Sequence, residues 1–110
     1  MKNHLLSCAF VLAASGMSGV HAEEASAMAD LAKASGCLSC HSVTEKIVGP
    51  SFQSVSSKYA GDKDAAASLV QSVRNGSSGK WGSRAAMPPQ TAVSNEDLNK
   101  LIAWVLSQKP

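Results

Sequence analysis

Apolar residues recur at helical spacing in four stretches of this chain, with turn-forming residues between them. The most regular lies near the carboxyl end, where Leu98, Leu101, Ile102, Val105 and Leu106 stand at i, i+3, i+4, i+7 and i+8. Ser94 precedes them with Asp97 three residues on, the pattern of a capped helix start. Met28, Leu31 and Ala32 predict a first helix from about Ala25 to Ser35, with Ser26 as its cap and Gly36 at its end. Phe52, Val55 and Tyr59 predict a second over Ser51 to Tyr59, with Gly61 as terminator. Leu69, Val70 and Val73 predict a third, opening at Asp62 or Asp64 and stopped by Asn75-Gly76.

No stretch alternates as a strand does. Between Gly76 and Gln90 lie Gly76, Gly79, Gly82, Pro88 and Pro89, too many breakers for a helix, so a pinned loop is expected there. The pattern therefore predicts an all-α domain of about four helices. The last should cross the first, with Trp104 set against Leu31 or Ala32 and Tyr59 in the core with its hydroxyl satisfied.

The amino-terminal segment stands apart from this periodicity. Lys2, an apolar run from Leu5 to Ala14, and small residues leading to Val20-His21-Ala22 read as a signal peptide over residues 1–22, cleaved before Glu23. Ser15, Gly16, Ser18 and Gly19 interrupt the apolar run short of the roughly 20 residues a spanning helix needs, which argues against a membrane anchor. Leu6-Ser7-Cys8 comes too early to be a lipoprotein cleavage box.

Cleavage changes what chemistry is available. Residues 23–110 form one small domain of 88 residues with two cysteines, Cys37 and Cys40, one histidine, His41, and two methionines, Met28 and Met87. Cys37-Leu38-Ser39-Cys40-His41 is a c-type haem attachment signature: two thiols reach the vinyl groups of one porphyrin and the imidazole reaches its iron. A disulfide or a thioredoxin-like redox pair needs no histidine in that place, and the redox pair also expects a strand–helix–strand setting. Zinc lacks a fourth ligand. A chain this short with few aromatics also needs a staple, which a buried porphyrin with two covalent tethers supplies.

The rest of the iron site follows from few candidates. An iron-bound histidine needs an acceptor for its other ring nitrogen, and the turn at Gly49-Pro50 offers the Pro50 carbonyl, although a plain loop fits the spacing equally. Met87-Pro88-Pro89 sets a soft thioether on a stiffened backbone, suited to the sixth position opposite His41. Met28 lies on an apolar helical stripe and reads as core. Trp81 either covers the haem edge and donates to a propionate or fills the core.

Taken in order, Cys37-x-x-Cys40-His41, Val48-Gly49-Pro50, Tyr59-Ala60-Gly61, Asn75-Gly76-Ser77, Trp81-Gly82, Met87-Pro88-Pro89 and Trp104-Val105-Leu106 resemble the short bacterial class I cytochromes c of the c-551/c-552 type, the cytochrome c8 group. The resemblance covers essentially all of residues 23–110. It implies a small class I cytochrome c fold around one covalently bound haem c, with Cys37 and Cys40 as thioethers and His41 and Met87 as axial ligands. It further implies the Pro50 carbonyl on the His41 ring and Trp81 at a propionate. Two places depart from the pattern. Ser83-Arg84-Ala85-Ala86 is longer than the proline-containing link of relatives, so a looser Met87 loop is expected, and Ala32 stands where relatives often carry an aromatic.

The function so implied is that of a periplasmic monohaem carrier of single electrons with low-spin His/Met iron, not an enzyme. Its partners would be redox proteins such as a quinol-oxidising complex, nitrite reductase, terminal oxidase or peroxidase, with no nucleic acid, no membrane anchor and a monomeric state. The alternative is a haem enzyme or gas-sensing domain with a displaceable Met87. Without Lys2, nine basic residues face eight acidic ones, a formal +1 before haem. Two ionised propionates and the ferric core bring the holoprotein near neutrality, so docking is expected through an apolar rim of Leu38, Ile47, Val48, Pro88 and Pro89. Lys46 and Lys80 would be rim charges.

Overall fold

The computed structural model describes residues 18–110, of which helices α1 (Ser18–Ala34), α2 (Phe52–Lys58), α3 (Ala65–Asn75) and α4 (Asn95–Leu106) form the frame. The leader's positive end and apolar run, Lys2 to Ala14, lie outside the described residues. α1 begins earlier than the Ala25 start expected, because residues 20–24 contain no breaker, and Ser26 lies inside the helix rather than capping it. Only its second half is packed: His21 to Ala27 are exposed, whereas Met28 and Leu31 are half-buried and Ala32 is fully buried.

Local chemistry sets the other boundaries. Ser51 caps α2, its Oγ accepting from the Ser54 N–H at 3.0 Å, and Ser94 caps α4 in the same way through the Asp97 N–H at 3.1 Å. Asp64 is the N-cap residue of α3, but the capping oxygen is not its own. The Asp62 carboxylate accepts from the Asp64 N–H at 2.8 Å, turning the chain one step before the helix.

α4 is the hub, packing against α1, α2 and α3. Its buried stripe of Leu98, Ile102 and Val105 meets Phe52 and Val55 of α2 and Leu69 of α3 in one cluster. Ser56 of α2 ties down the end of α4 by donating from Oγ to the Leu106 carbonyl at 2.7 Å. Trp104 is half-buried and meets Phe52 edge to face at 5.4 Å between centroids.

The stretch expected as a loop is a β-hairpin. β1 (Ser77–Gly79) pairs antiparallel with β2 (Gly82–Met87), in the register Ser77↔Met87, Ser78↔Ala86 and Gly79↔Gly82. The register skips between Ser78 and Gly79, leaving Ser83, Arg84 and Ala85 as a bulge on β2. The glycines that look like breakers are what allow the strands to turn: Gly79 and Gly82 have φ of +79° and +119° on either side of Lys80-Trp81. Pro88 contributes too, since a residue before proline is driven into the extended region, and Met87 therefore closes a strand.

Candidate functional site

Helix packing leaves an apolar cavity of about 190 Å³, bounded by a 3₁₀ turn, the α2–α4 core and the hairpin. Gly36, left-handed with φ +80°, ends the first helical segment and starts the 3₁₀ turn over Cys37–Ser39. The His41 N–H donates to the Cys37 carbonyl at 3.0 Å, so the two thiols and the imidazole belong to one tight turn. All three line the cavity. Burial pushes the Cys37 thiol up from its ordinary value. No disulfide joins Cys37 to Cys40.

The imidazole is held on three sides. Its Nδ1 lies 2.7 Å from the Pro50 carbonyl oxygen, which makes Nδ1 the protonated nitrogen and leaves the Nε2 lone pair free. Phe52 stacks on the ring at 5.2 Å and 23°. On another side stands Gly49, where a Cβ would fall 2.5 Å from Cε1 and 2.8 Å from Nδ1. Gly49 also donates its N–H to the Cys40 carbonyl at 2.7 Å, closing the Cys40–Gly49 loop over the ring edge. Sequence reading marked Pro50 but passed over Gly49; the available signal was a glycine beside the candidate acceptor, a place where backbone approaches closely.

Met87 reaches the same cavity from the hairpin. It is half-buried, and the segment after it is anchored rather than loose: Gln90 donates its N–H to the Val73 carbonyl at 2.8 Å, and Arg74 donates to the Gln90 carbonyl at 3.1 Å. Gly76 lets this segment approach, for a Cβ there would lie 2.7 Å from the Met87 carbonyl oxygen and 3.0 Å from the Pro89 ring. Ser83, Arg84 and Ala85, shortly before Met87, form the β2 bulge. Met28 does not line the cavity. Trp81, at the hairpin tip, does, and the Lys58 ammonium sits 4.3 Å from its ring centroid. Tyr59 is half-buried, packs against the core cluster and lines the cavity.

Val48, which lines the cavity, and its neighbour Ile47 are 66% and 47% exposed, the large hydrophobic residues that solvent reaches most among those described. Pro88 and Pro89 are exposed as well, while Leu38 is half-buried against the core. No helix among the described residues is long and apolar enough to cross a membrane.

A flat, mainly apolar prosthetic group with two thiol attachment points fits this cavity: thiols at one edge, an oriented imidazole lone pair, a thioether in the wall and little other polarity. Fold and site together define a small class I cytochrome c. The comparisons agree. The family model described as cytochrome c oxidase, cbb3-type, subunit III matches residues 23–105. Cytochrome c-552 of Nitrosomonas europaea is 45% identical over 85 residues, spanning 77% of this chain and 82% of that one. Cytochrome c-551 of Pseudomonas aeruginosa is 47% identical over 79 residues, spanning 72% and 74%. The crystal structure of wild-type Nitrosomonas europaea cytochrome c552 superposes with a TM-score of 0.70 at 44% identity, covering 74% of this chain and 99% of that one. The class 1 cytochrome MtoD of Sideroxydans lithotrophicus superposes with a TM-score of 0.63 at 30% identity, covering 76% and 94%. The chain belongs to the cytochrome c-551/c-552 family of monohaem electron carriers. It carries one covalently bound haem c and is an electron-transfer protein rather than an enzyme.

Proposed function

We propose that this chain is exported to the periplasm, loses residues 1–22, and carries single electrons between respiratory proteins. Cys37 and Cys40 would form the thioether bonds, with His41 and Met87 as the axial ligands. The haem iron supplies the one-electron ferric/ferrous couple. The observation that carries this reading is the His41 ring, whose Nδ1 is committed to the Pro50 carbonyl at 2.7 Å inside a cavity that Met87 also lines. The Pro50 carbonyl holds the ring orientation and raises the basicity of Nε2. Met87, on a segment tied to α3, would supply the second protein ligand and so keep substrates from the iron. Trp81 covers the haem edge and offers its indole N–H to a propionate.

Exchange with partners would run through the exposed edge by the Ile47 and Val48 rim. A near-neutral holoprotein gives little long-range steering, and electron-transfer contacts are small, below about 1,200 Å² in total. Partners of the stated chemistry are a quinol-oxidising complex as donor and a nitrite reductase, terminal oxidase or peroxidase as acceptor.

One preparation tests the reading. Intact mass of the exported protein should equal residues 23–110 plus one haem, and the reduced visible spectrum should be low-spin and unchanged by carbon monoxide. A carbon monoxide complex at neutral pH would make Met87 displaceable and favour a gas-binding or enzymatic role. A mass without haem, or with a disulfide between Cys37 and Cys40, would overturn the site.

A further inference from the structure

The cavity wall is mainly apolar, and its one fixed charge among the described lining residues lies where α3 faces the hairpin tip. Lys80 carries it there, and Ser72 lines the wall beside it. The lysine was expected as a rim charge facing a partner. Its ammonium instead turns to α3, donating to Ser72 Oγ at 2.8 Å. Ser72 is oriented for this, since its own O–H donates to the Ser68 carbonyl at 3.2 Å and leaves the lone pairs of Oγ to Lys80.

A second cation reinforces the first. Lys58 donates to the Lys80 carbonyl at 2.9 Å while lying over Trp81, so a second ammonium group sits against the hairpin tip. Among the described residues the one salt bridge is Lys100–Glu96, and neither Lys80 nor Lys58 has a protein carboxylate within ion-pair distance. Holding a flexible lysine in one place costs side-chain entropy, and a cation at the mouth of an apolar cavity is best compensated by an anion inside it. The group this cavity receives brings two carboxylates.

We propose that Lys80, positioned by Ser72, is a propionate-binding residue in addition to Trp81 and sets part of the reduction potential. The inference rests on the placement of haem in this cavity. Lys80 offsets a propionate charge near the iron and so favours the less positively charged ferrous state; removing it should lower the potential. Arginine retains the charge and the donors. Ser72→Ala leaves the charge but frees the side chain, so its effect should be smaller than that of Lys80→Met.

The test uses the holoprotein with haem carrying ¹³C at the propionate carboxyls. Lys80→Met should shift the ferric/ferrous equilibrium about threefold toward ferric, about 28 mV at 59 mV per tenfold. It should also move one propionate resonance and leave the other. Lys80→Arg should restore both readings. Lys46→Met removes a comparable charge from the exposed segment beside Ile47 and should move neither resonance. The inference is overturned if Lys80→Met leaves both carboxyl resonances in place, or if Lys46→Met lowers the potential equally. Mass and visible spectrum of the same samples report separately on haem placement: a wild-type protein lacking the thioether-bound haem refutes the site itself, not the assignment of Lys80 alone.

Discussion

Gly49→Ala isolates how the histidine is held. Gly49 is not among the glycines with positive φ, so alanine fits its backbone and the substitution adds only a methyl group. That methyl would lie 2.5 Å from Cε1, 2.8 Å from Nδ1 and 3.0 Å from Nε2 of His41. Carbon atoms in contact rest at about 3.5–4.0 Å, so ring and backbone must separate by roughly 1 Å. The ring cannot retreat freely, because Phe52 stacks on it and Cys40 precedes it in the chain. Moving it by that amount stretches the 2.7 Å contact to Pro50 beyond hydrogen-bond range. Overpacking costs about 1–3 kcal/mol and the lost hydrogen bond about 1 kcal/mol, offset by about 0.4–1 kcal/mol from the stiffer unfolded chain. The net is about 2 kcal/mol, or about 8–16 °C in melting temperature for a domain of this size. Thermal unfolding of the ferric holoprotein measures it. Release of Nδ1 should also weaken the donor strength of Nε2 and raise the reduction potential, which voltammetry reads on the same sample. A variant that melts with the wild type and keeps its potential would refute the claim that Gly49 and Pro50 together clamp the ring.

Met87→Ala should leave the haem attached, open the sixth position to carbon monoxide and lower the potential, because thioether ligation favours ferrous iron; the same outcome from Met28→Ala would show the wrong methionine was chosen. Val48→Lys should slow electron transfer to a physiological oxidase or reductase, while wild-type rates change little between low and high salt. A steep fall of the wild-type rate with salt, together with indifference to Val48→Lys, would show that charge governs docking.

What was legible in the sequence was what depends on near neighbours. The Cys37–His41 motif occupies one turn, and the stripe of α4 with its Ser94 cap needs only helical periodicity, so both stand where the pattern puts them. The hairpin was hidden because its strands are built of Ser, Gly, Ala and Arg, with no apolar alternation to betray them. Their pairing depends on positive-φ glycines, which in sequence look the same as loop formers. Gly49 was missed for a related reason, since its importance lies in a contact with His41, well back along the chain. The Phe52–Trp104 ring pair depends on how α2 meets α4, and spacing within one helix says nothing of that.

The hairpin also explains how the chain keeps Met87 in place. A free loop before it would add conformations with its length and let the thioether wander. Here both ends of that stretch are fixed. Gly82 pairs with Gly79 and Ala86 with Ser78, so the residues between them go outward, as the exposed Ser83-Arg84 bulge. On the far side, Gly76 admits the Met87 carbonyl at close range, and the Val73 carbonyl and Arg74 hold Gln90. Met87 is thus bracketed by β-pairing before it and by α3 after it, and α3 in turn packs on α4. The position of the thioether is therefore set by the helical core rather than by the length of the link, which separates the freedom of the bulge from the geometry of the proposed iron site.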